Sequence, residues 1–423
     1  MKIELILPGW KATSLWNVRA FRFAPLGLAA VAALVPEEHE VCIIDENAAP
    51  INFDDRVDLV GISAMTPMAP RAYEIASEFR KRGVKVAMGG SHASALPEEA
   101  LQHVDAVLIG EAEELWPQLI EDFKNHRLRR IYKCETKPLL NNLPAPRRDL
   151  FASQAYFVKN CVQITRGCPF DCEFCSVSSF YGHTYRTRPI AEVEKEILSL
   201  KKDITFFVDD NIVGNRAYAK DFFRRIIPHK LKWISQGSIT MAEDRELLEL
   251  ASKSGCLCMI IGFESLSQEN LNSIKKNFNQ AAKFKDAIKK IHAHGIGIYG
   301  IFMFGLDHDD KDVFKRTVDF IIENNINTAS FTILTPMPGT RLYQKMESEG
   351  RITDRDWTKY DHLHVVFKPR TMTAEELFEG HRWAFRETYT YRSILKRILG
   401  SRVQPLLSAL QNIGFRQATK TFS

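Results

Sequence analysis

The sequence predicts an α/β chain made of two parallel-sheet domains followed by a helical C-terminal region. Three observations carry this. Short, nearly continuous apolar runs alternate with amphipathic helix patterns, as strands covered on both faces do, and the alternation occurs in two separate series. A polar, proline-containing stretch, CETKPLLNNLPAPRRD (134–149), separates the series and reads as a linker. The 423 residues also exceed what one ordinary core holds.

The first series gives strands at KIELILP (2–8), EVCIID (40–45), DLVGIS (58–63), VKVAMGG (84–90) and DAVLIG (105–110). Between the first two lies FAPLGLAAVAALVP (23–36), which reads as the first helix of an α/β unit rather than a signal peptide. APRAYEIASEFRKRG (69–83) has Pro near its start and Gly at its end, the asymmetry expected of a helix. Five such units predict a small doubly wound domain over residues 1–130, then a linker over 131–155. Ligands of such sheets bind outside the carboxyl ends of the strands. Those ends read Pro8-Gly9-Trp10, Ser63-Ala64-Met65-Thr66, Gly89-Gly90-Ser91-His92 and Gly110-Glu111. Glycine and small polar residues there let a flat or bulky ligand approach the backbone.

The second series, over 156–345, gives strands at VQITR (162–166), ITFFVDD (204–210), KWISQG (232–237), CMIIGFES (258–265), IGIYGIFMFG (296–305) and TASFTIL (328–334). Six βα units are too few for a closed eightfold barrel of about 250 residues and predict an open partial barrel, with chemistry at the carboxyl ends of its strands. Residues 346–423 read as helical. Thr373-Ala374-Glu375-Glu376 matches a capping box ahead of an apolar run. SILKRILGSRVQPLLSAL (393–410) is apolar and basic and is broken at Pro405. A segment of this kind either packs on its own domain or touches a membrane surface.

The net charge is +5 and no basic stripe concentrates it, which argues against a nucleic-acid partner. No apolar run reaches the roughly 18 residues of a membrane span. Without an export signal the chain is expected to be cytoplasmic. Eight cysteines in such a chain point to metal rather than to a disulfide framework. Cys42, Cys256 and Cys258 sit in or beside apolar runs and read as buried, inert thiols. Cys168, Cys172 and Cys175 are different. They lie in RGCPFDCEFC, directly after the first strand of the second series, spaced C-x3-C-x2-C with no fourth at matching spacing. A structural zinc site needs four protein ligands, for which Cys161 or His183 are the nearest in sequence. Four irons held by three thiolates leave one iron free for another ligand, and the spacing favours that arrangement.

CPFDCEFC, with Phe174 before its last cysteine, resembles the cluster motif of the radical S-adenosylmethionine (SAM) enzymes. The resemblance implies a [4Fe-4S] cluster on Cys168, Cys172 and Cys175, whose free iron chelates the methionine half of SAM and whose electron yields a 5′-deoxyadenosyl radical. It extends over residues 160–345. FFVDDNIVGN (206–215) resembles the segment that binds the SAM amino group, with Asp209 or Asp210 as candidate; an ionised carboxylate accepts charge-assisted hydrogen bonds from an ammonium. IIGFESLS (260–267) resembles the segment that places a carboxylate, here Glu264, on the ribose hydroxyls. GIGIYGIFMFGLDHDD (295–310) resembles the strand whose backbone contacts adenine. Gln236, at the end of the third strand, is the candidate for the SAM carboxylate.

PLGLAAVAALV, IIDENA, DLVGISAMT, GGSHASALPEEA and GEAEELWPQLIEDF resemble the flavodoxin-like cobalamin-binding domain that precedes many radical SAM modules. This implies cobalamin at Ser63, Thr66, Gly89, Gly90, His92, Gly110 and Glu111. The Asp-x-His-x-x-Gly motif, whose histidine ligates cobalt, is missing from the sequence. The lower face of the corrin is therefore expected to be held without such a ligand, with His92 a hydrogen-bonding loop residue. The whole chain is similar to the hopanoid C-2 methylase-like group. That likeness implies cobalamin-dependent methylation of an unactivated carbon on a small apolar or lipid-like substrate, with an electron donor such as flavodoxin or ferredoxin. Ring cyclisation, as by the anaerobic Mg-protoporphyrin monomethyl ester cyclase, uses the same cofactors and is the alternative. A tRNA methylthiotransferase would carry three more cysteines in the first domain, which has only Cys42. A non-catalytic corrinoid or iron–sulfur protein would need none of the SAM-site residues.

Overall fold

The structure is a computed structural model that describes residues 1–11, 22–151 and 156–419. Part of the expected linker (152–155) and the last four residues of the expected helical region lie outside the described residues.

The first apolar series forms β1 (Lys2–Leu7), β2 (Glu40–Asp45), β3 (Leu59–Ser63), β4 (Lys85–Gly89) and β5 (Ala106–Ile109), joined by β6 (Ile131–Lys133). All pair in parallel, in the order β2-β1-β3-β4-β5-β6, so the strand order reverses between β1 and β3. Around the sheet lie α1 (Leu26–Ala32), α2 (Ala69–Lys81), α3 (Ser91–Ala95), α4 (Pro97–His103) and α5 (Leu115–Lys124). One face buries Ile75 and Phe79 of α2 against Val60, Ile62 and Val86. The other buries Leu28 of α1 and Trp116 and Leu119 of α5 against Ile3, Leu5 and Leu108. β6 corrects the five-strand expectation, because it falls where the linker was expected to start. It is three residues long with only Tyr132 buried, too short for a periodic signal. It is held by its register with Val107–Ile109 and by the Tyr132 hydroxyl, which donates to Asp122 at 3.1 Å.

The second series forms β7 (Asn160–Val162), β8 (Thr165–Gly167), β9 (Tyr185–Thr187), β10 (Ile204–Phe207), β11 (Lys232–Gln236), β12 (Cys256–Glu264), β13 (Gly297–Phe304) and β14 (Thr328–Ile333). Between and after them run α6 (Ser176–Tyr181), α7 (Ile190–Ser199), α8 (Arg216–Ile226), α9 (Arg245–Lys253), α10 (Gln268–Ser273), α11 (Phe284–Ala293), α12 (Val313–Glu323) and α13 (Arg341–Ser348). Six strands make an open parallel sheet, β14-β13-β12-β11-β10-β7, as six βα units predict. Phe207, Trp233, Ile261, Phe302 and Phe331 centre its core. The predicted first strand, 162–166, is broken. β7 stops at Val162, and β8 leaves the sheet to pair antiparallel with β9. The amides that leave the ladder are recovered by one side chain: Ile164 and Thr165 donate to the Asp209 carboxylate at 3.1 and 2.5 Å, and the Thr165 hydroxyl adds a third bond at 2.6 Å.

Both edges of this sheet are covered, as exposed edges must be. Beside β7, Phe23 bridges in parallel to Val158, and the Ala24 amide donates to the Val158 carbonyl at 3.1 Å. Beside β14 lie α14 (Ala374–Thr388), α15 (Tyr391–Ser401) and α16 (Pro405–Thr419). The Tyr389 hydroxyl donates to the Ala329 carbonyl, the His381 ring lies 3.0 Å from the Phe331 carbonyl, and the buried Arg397 donates to the carbonyls of Ile326 and Asn327. The capping box at Thr373–Glu376 is present. The expectation of a helical region from residue 346 needs correction: residues 349–373 are mostly irregular, held by an Ile352–Phe367 bridge and a short turn at Trp357–Lys359. The Trp357 indole donates to Glu99 of α4 at 2.9 Å, which lays this segment on the first domain. No helix among the described residues is long and apolar enough to cross a membrane. Cys256 and Cys258 are buried as expected, whereas Cys42 on β2 is half-buried.

Glu4 on β1 is an unusual core residue, fully buried with neither carboxylate oxygen hydrogen-bonded. Burial, with repulsion from Asp55, pushes its pKa up to about 7 against the pull of Lys2. The fold therefore accommodates the neutral acid: this contribution is whole below the ordinary value of 4.5 and is lost as pH rises through about 7. Glu4→Gln should flatten the decline in stability between about pH 5 and about pH 8. It should gain roughly 2 kcal/mol over the parent at the upper end, read from urea denaturation at the two values.

Candidate functional site

The three cysteines sit on the connection that leaves β8. Gly167, the last residue of β8, has φ +87°, and a Cβ there would lie 2.0 Å from the Thr184 carbonyl, so only glycine starts this turn. The loop is then gripped from three sides. The Gly167 amide donates to Asp210 after β10 at 3.2 Å. The Glu173 amide donates to Ile274 after α10 at 3.1 Å. Arg341, at the start of α13, donates to the Asp171 carboxylate at 2.6 Å and to its carbonyl at 2.7 Å. Phe170 stacks on Phe278 at 3.5 Å.

Cys172 is buried and Cys168 and Cys175 are half-buried. Burial pushes the Cys172 thiol up to about 12 and the Cys175 thiol up to about 11, against the attraction of Lys276. Thiolates at these positions thus need the positive charge that iron supplies. Among the described residues no three His, Cys, Asp or Glu side chains converge as ligands of one metal ion. Three thiols opening from one loop are a donor set for a polynuclear cluster. Neither residue that could have closed a zinc site joins them: Cys161 packs with Tyr156, Val158 and Phe206, and His183 pairs with Asp171 at 3.1 Å.

The expected SAM residues fall at the ends of β10, β11 and β12, but they divide by role. Of the two acids offered for the SAM amino group, Asp209 is fully buried, and its carboxylate accepts from Ile164 and Thr165, so it positions the chain. Asp210 is half-buried, and burial pushes its pKa up to about 6. Gln236 is half-buried at the end of β11, and Phe174 packs on the barrel core. Glu264 adopts φ +62°, where the pairing of β12 with β13 slips. Its carboxylate accepts from Lys276 at 2.7 Å. Sequence reasoning missed Lys276, which lies 5.8 Å from the Phe174 ring and 5.6 Å from the Phe278 ring. Burial lowers its pKa, but Glu264 and Cys172 more than offset this and keep it a cation. Its side chain is 12% exposed, against 53% for that of its neighbour Lys275, which turns away to Glu173.

A cavity of about 340 Å³ lies between the two domains. Leu5, Gly61, Leu108 and Trp116 form its inner wall, and Gln163, Arg166, Tyr181 and Arg188 of the second domain face them. Of the expected cobalamin residues, Ser63, Gly89, Gly90, Gly110 and Glu111 line it. Thr66 and His92 are not among its lining residues. Gly90, at φ +93°, turns the chain into α3 and sends His92 behind the sheet end, where it is fully buried. There its Nε2 lies 2.8 Å from the Tyr73 hydroxyl and 3.3 Å from Glu99, and burial lowers its pKa. A Cβ on Gly90 would lie 2.7 Å from the Ala64 carbonyl, so this glycine serves the turn. Of the glycines that line the cavity, Gly27 and Gly110 open onto free space. The Trp116 indole N–H is buried in the cavity wall with no partner. An apolar slot with open glycines fits the nucleotide tail of a corrinoid.

One ion cluster joins the cavity to the cysteine loop. Arg166 on β8 pairs with Glu111 and with Glu113, each at 2.6 Å, and Arg186 on β9 pairs with Glu111 at 2.6 Å. Removing one partner of a buried pair costs about 3–5 kcal/mol. Glu111→Ala should lower stability by about that amount and should speed tryptic cleavage within residues 134–149. Unchanged cleavage would show that the domains are held elsewhere.

Comparison with known proteins agrees with this geometry. Family models match the radical SAM superfamily over residues 162–321, a B12 binding domain over 14–120, and a domain of unknown function over 340–405. The chain is 33% identical to bacteriochlorophyllide d C-12(1)-methyltransferase of Chlorobaculum tepidum, over 89% of this chain and 85% of that protein. It is 26% identical to hopanoid C-2 methylase of Rhodopseudomonas palustris, over 80% and 67%. Its fold matches that of the cobalamin-dependent SAM radical enzyme OxsB, solved with aqua-cobalamin and SAM, with a TM-score of 0.72 at 14% identity over 97% of this chain and 72% of that one. With both domain models matched in order and a relative one-third identical along most of its length, the chain belongs to the cobalamin-binding radical S-adenosylmethionine methyltransferases.

Proposed function

We propose that this chain methylates an unactivated carbon of a small apolar or lipid-like molecule, drawing electrons from a reductant such as flavodoxin or ferredoxin. One observation carries the reading: a single cavity has the glycine-rich strand ends of the first domain on one side and, on the other, Arg166 and Tyr181, which flank the cysteine loop. When bound, the cluster with SAM supplies a 5′-deoxyadenosyl radical, and cobalamin supplies the methyl group. The chain supplies position and dryness. Cys168, Cys172 and Cys175 hold the cluster. Asp210 and Gln236 would bind the amino-acid end of SAM, Phe174 packs on the barrel core, and Glu264 would accept from the ribose hydroxyls. Lys276 donates to Glu264 and sets a positive charge beside the thiolates. Ser63, Gly89, Gly110 and Glu111, which line the cavity, would border the corrin, and Trp116 its tail. Leu143, Pro144 and Phe180 add apolar lining to the cavity, surface that would disfavour water beside a radical. An apolar substrate also agrees with the names of the relatives, which act on bacteriochlorophyllide and on hopanoids. The direct test is anaerobic reconstitution with iron, SAM, cobalamin, reductant and a cell extract. Mass spectrometry should find a product one methyl group heavier, and formation of S-adenosylhomocysteine should accompany it.

Two variants separate the roles. Replacing Cys168, Cys172 and Cys175 together by Ala should remove the iron, the absorbance near ~400 nm and SAM cleavage, whereas Cys256→Ala should keep all three. Glu264→Gln keeps the shape of the side chain but loses its charge. Hydrogen bonds to charged groups contribute roughly 1.5–3 kcal/mol, so SAM should bind about ten- to a hundredfold more weakly with iron content unchanged. An unaltered SAM Kd would leave Glu264 only as the partner of Lys276.

A further inference from the structure

Six of the twelve large apolar side chains left exposed among the described residues lie on α15 and α16. On α15 they are Tyr391, Leu395 and Leu399, at 71, 59 and 62% exposure, and on α16 they are Leu406, Leu410 and Ile413, at 82, 67 and 49%. Spacings of four and of four and three residues place each set on one side of its helix. The opposite sides, carrying Ile394 and Arg397 on α15 and Asn412 and Phe415 on α16, are buried. The helices run antiparallel side by side. Arg397 donates to the Asn412 carboxamide at 2.7 Å, and the guanidinium of Arg416, near the end of α16, sits 3.8 Å from the ring centroid of Tyr391, at the start of α15. The two apolar rows therefore belong to neighbouring helices rather than to distant parts of the molecule.

The charge of this region has one sign. No Asp or Glu follows Glu387, while six Lys and Arg do, although the whole chain carries only +5. Arg392, Lys396 and Arg402 are exposed beside the apolar rows. We propose that α15 and α16 are a docking surface for an anionic lipid bilayer, with the leucines seated at the acyl boundary and Arg392, Lys396 and Arg402 against the headgroups. Helices of 11 and 15 residues are too short to span the roughly 20-residue thickness of a bilayer, so they lie in its plane. A second copy of this chain fits less well, because a self-complementary contact would bring two basic faces together. The proposal is independent of the reaction assigned to the cavity.

The test is co-sedimentation of the full-length protein with vesicles of phosphatidylcholine, with and without about 40% phosphatidylglycerol. Wild type should pellet with the anionic vesicles and stay in solution with the neutral ones. Each basic residue near such a surface contributes about fivefold in affinity. Arg392→Gln, Lys396→Gln and Arg402→Gln combined should therefore bind roughly a hundredfold more weakly. Leu399→Glu with Leu410→Glu should lose binding at least about tenfold with an unchanged melting curve, since both side chains are exposed. Equal binding by wild type to both vesicle types, or full binding by both sets of variants, overturns the proposal. So does a dimer in sedimentation equilibrium that the leucine variants dissolve while vesicles bind no protein, an outcome that would assign the surface to a second copy.

Discussion

The buried carboxylate of Asp209 sets where the reacting groups of this enzyme stand. A parallel strand that leaves its sheet strands its amides in the interior, where an unsatisfied donor costs about 1–3 kcal/mol. Asp209, at the end of β10, takes the amides of Ile164 and Thr165 together with the Thr165 hydroxyl, so the first barrel strand can stop short without that cost. The released chain becomes the β8–β9 hairpin and carries the cysteine loop out of the sheet. The next residue, Asp210, holds the Gly167 amide at the root of that loop. Two adjacent acids therefore divide the work: the first shapes the backbone and the second stands where a ligand can reach it.

The same hairpin ties the two domains together. Arg166 and Arg186 lie on its two strands, and both reach Glu111, at the end of the first domain's β5. Buried pairs of this kind contribute little net stability against well-packed apolar groups, yet breaking one is costly. Here they fix the distance between the strand ends that border the cavity and the loop that carries the thiols. Lys276 plays the matching electrostatic part on the barrel side, one cation set among Glu264, Cys172 and Cys175.

Much of this was legible in the sequence. Both strand series, the open six-stranded barrel, the cysteine spacing and the capping box at Thr373 follow from local pattern. What escaped has identifiable causes. β6 offers one inward residue, Tyr132, and no period. The break after Val162 is invisible in VQITR because its cause, Asp209, lies more than forty residues away. The strand-end rule grouped Thr66 and His92 with the residues that line the cavity, but the left-handed turn at Gly90 carries His92 behind the sheet, against Tyr73 and Glu99. Nothing local distinguishes Lys276 from Lys275; the turn that follows α10 does. The irregular 349–373 segment is ordered by partners on other elements, such as Glu99 for Trp357.

The bridge from Phe23 to Val158 also orders events in time. It draws the cover for the barrel's first edge from a segment more than a hundred residues upstream. A ribosome delivers that segment, and the whole sheet around it, before β7 leaves the exit tunnel, and upstream domains tend to fold first during synthesis. The nascent barrel thus meets a finished partner at the edge it would otherwise expose to neighbouring chains. A circular permutant that makes the barrel first would reverse that order and leave β7 bare for the time needed to translate the missing domain.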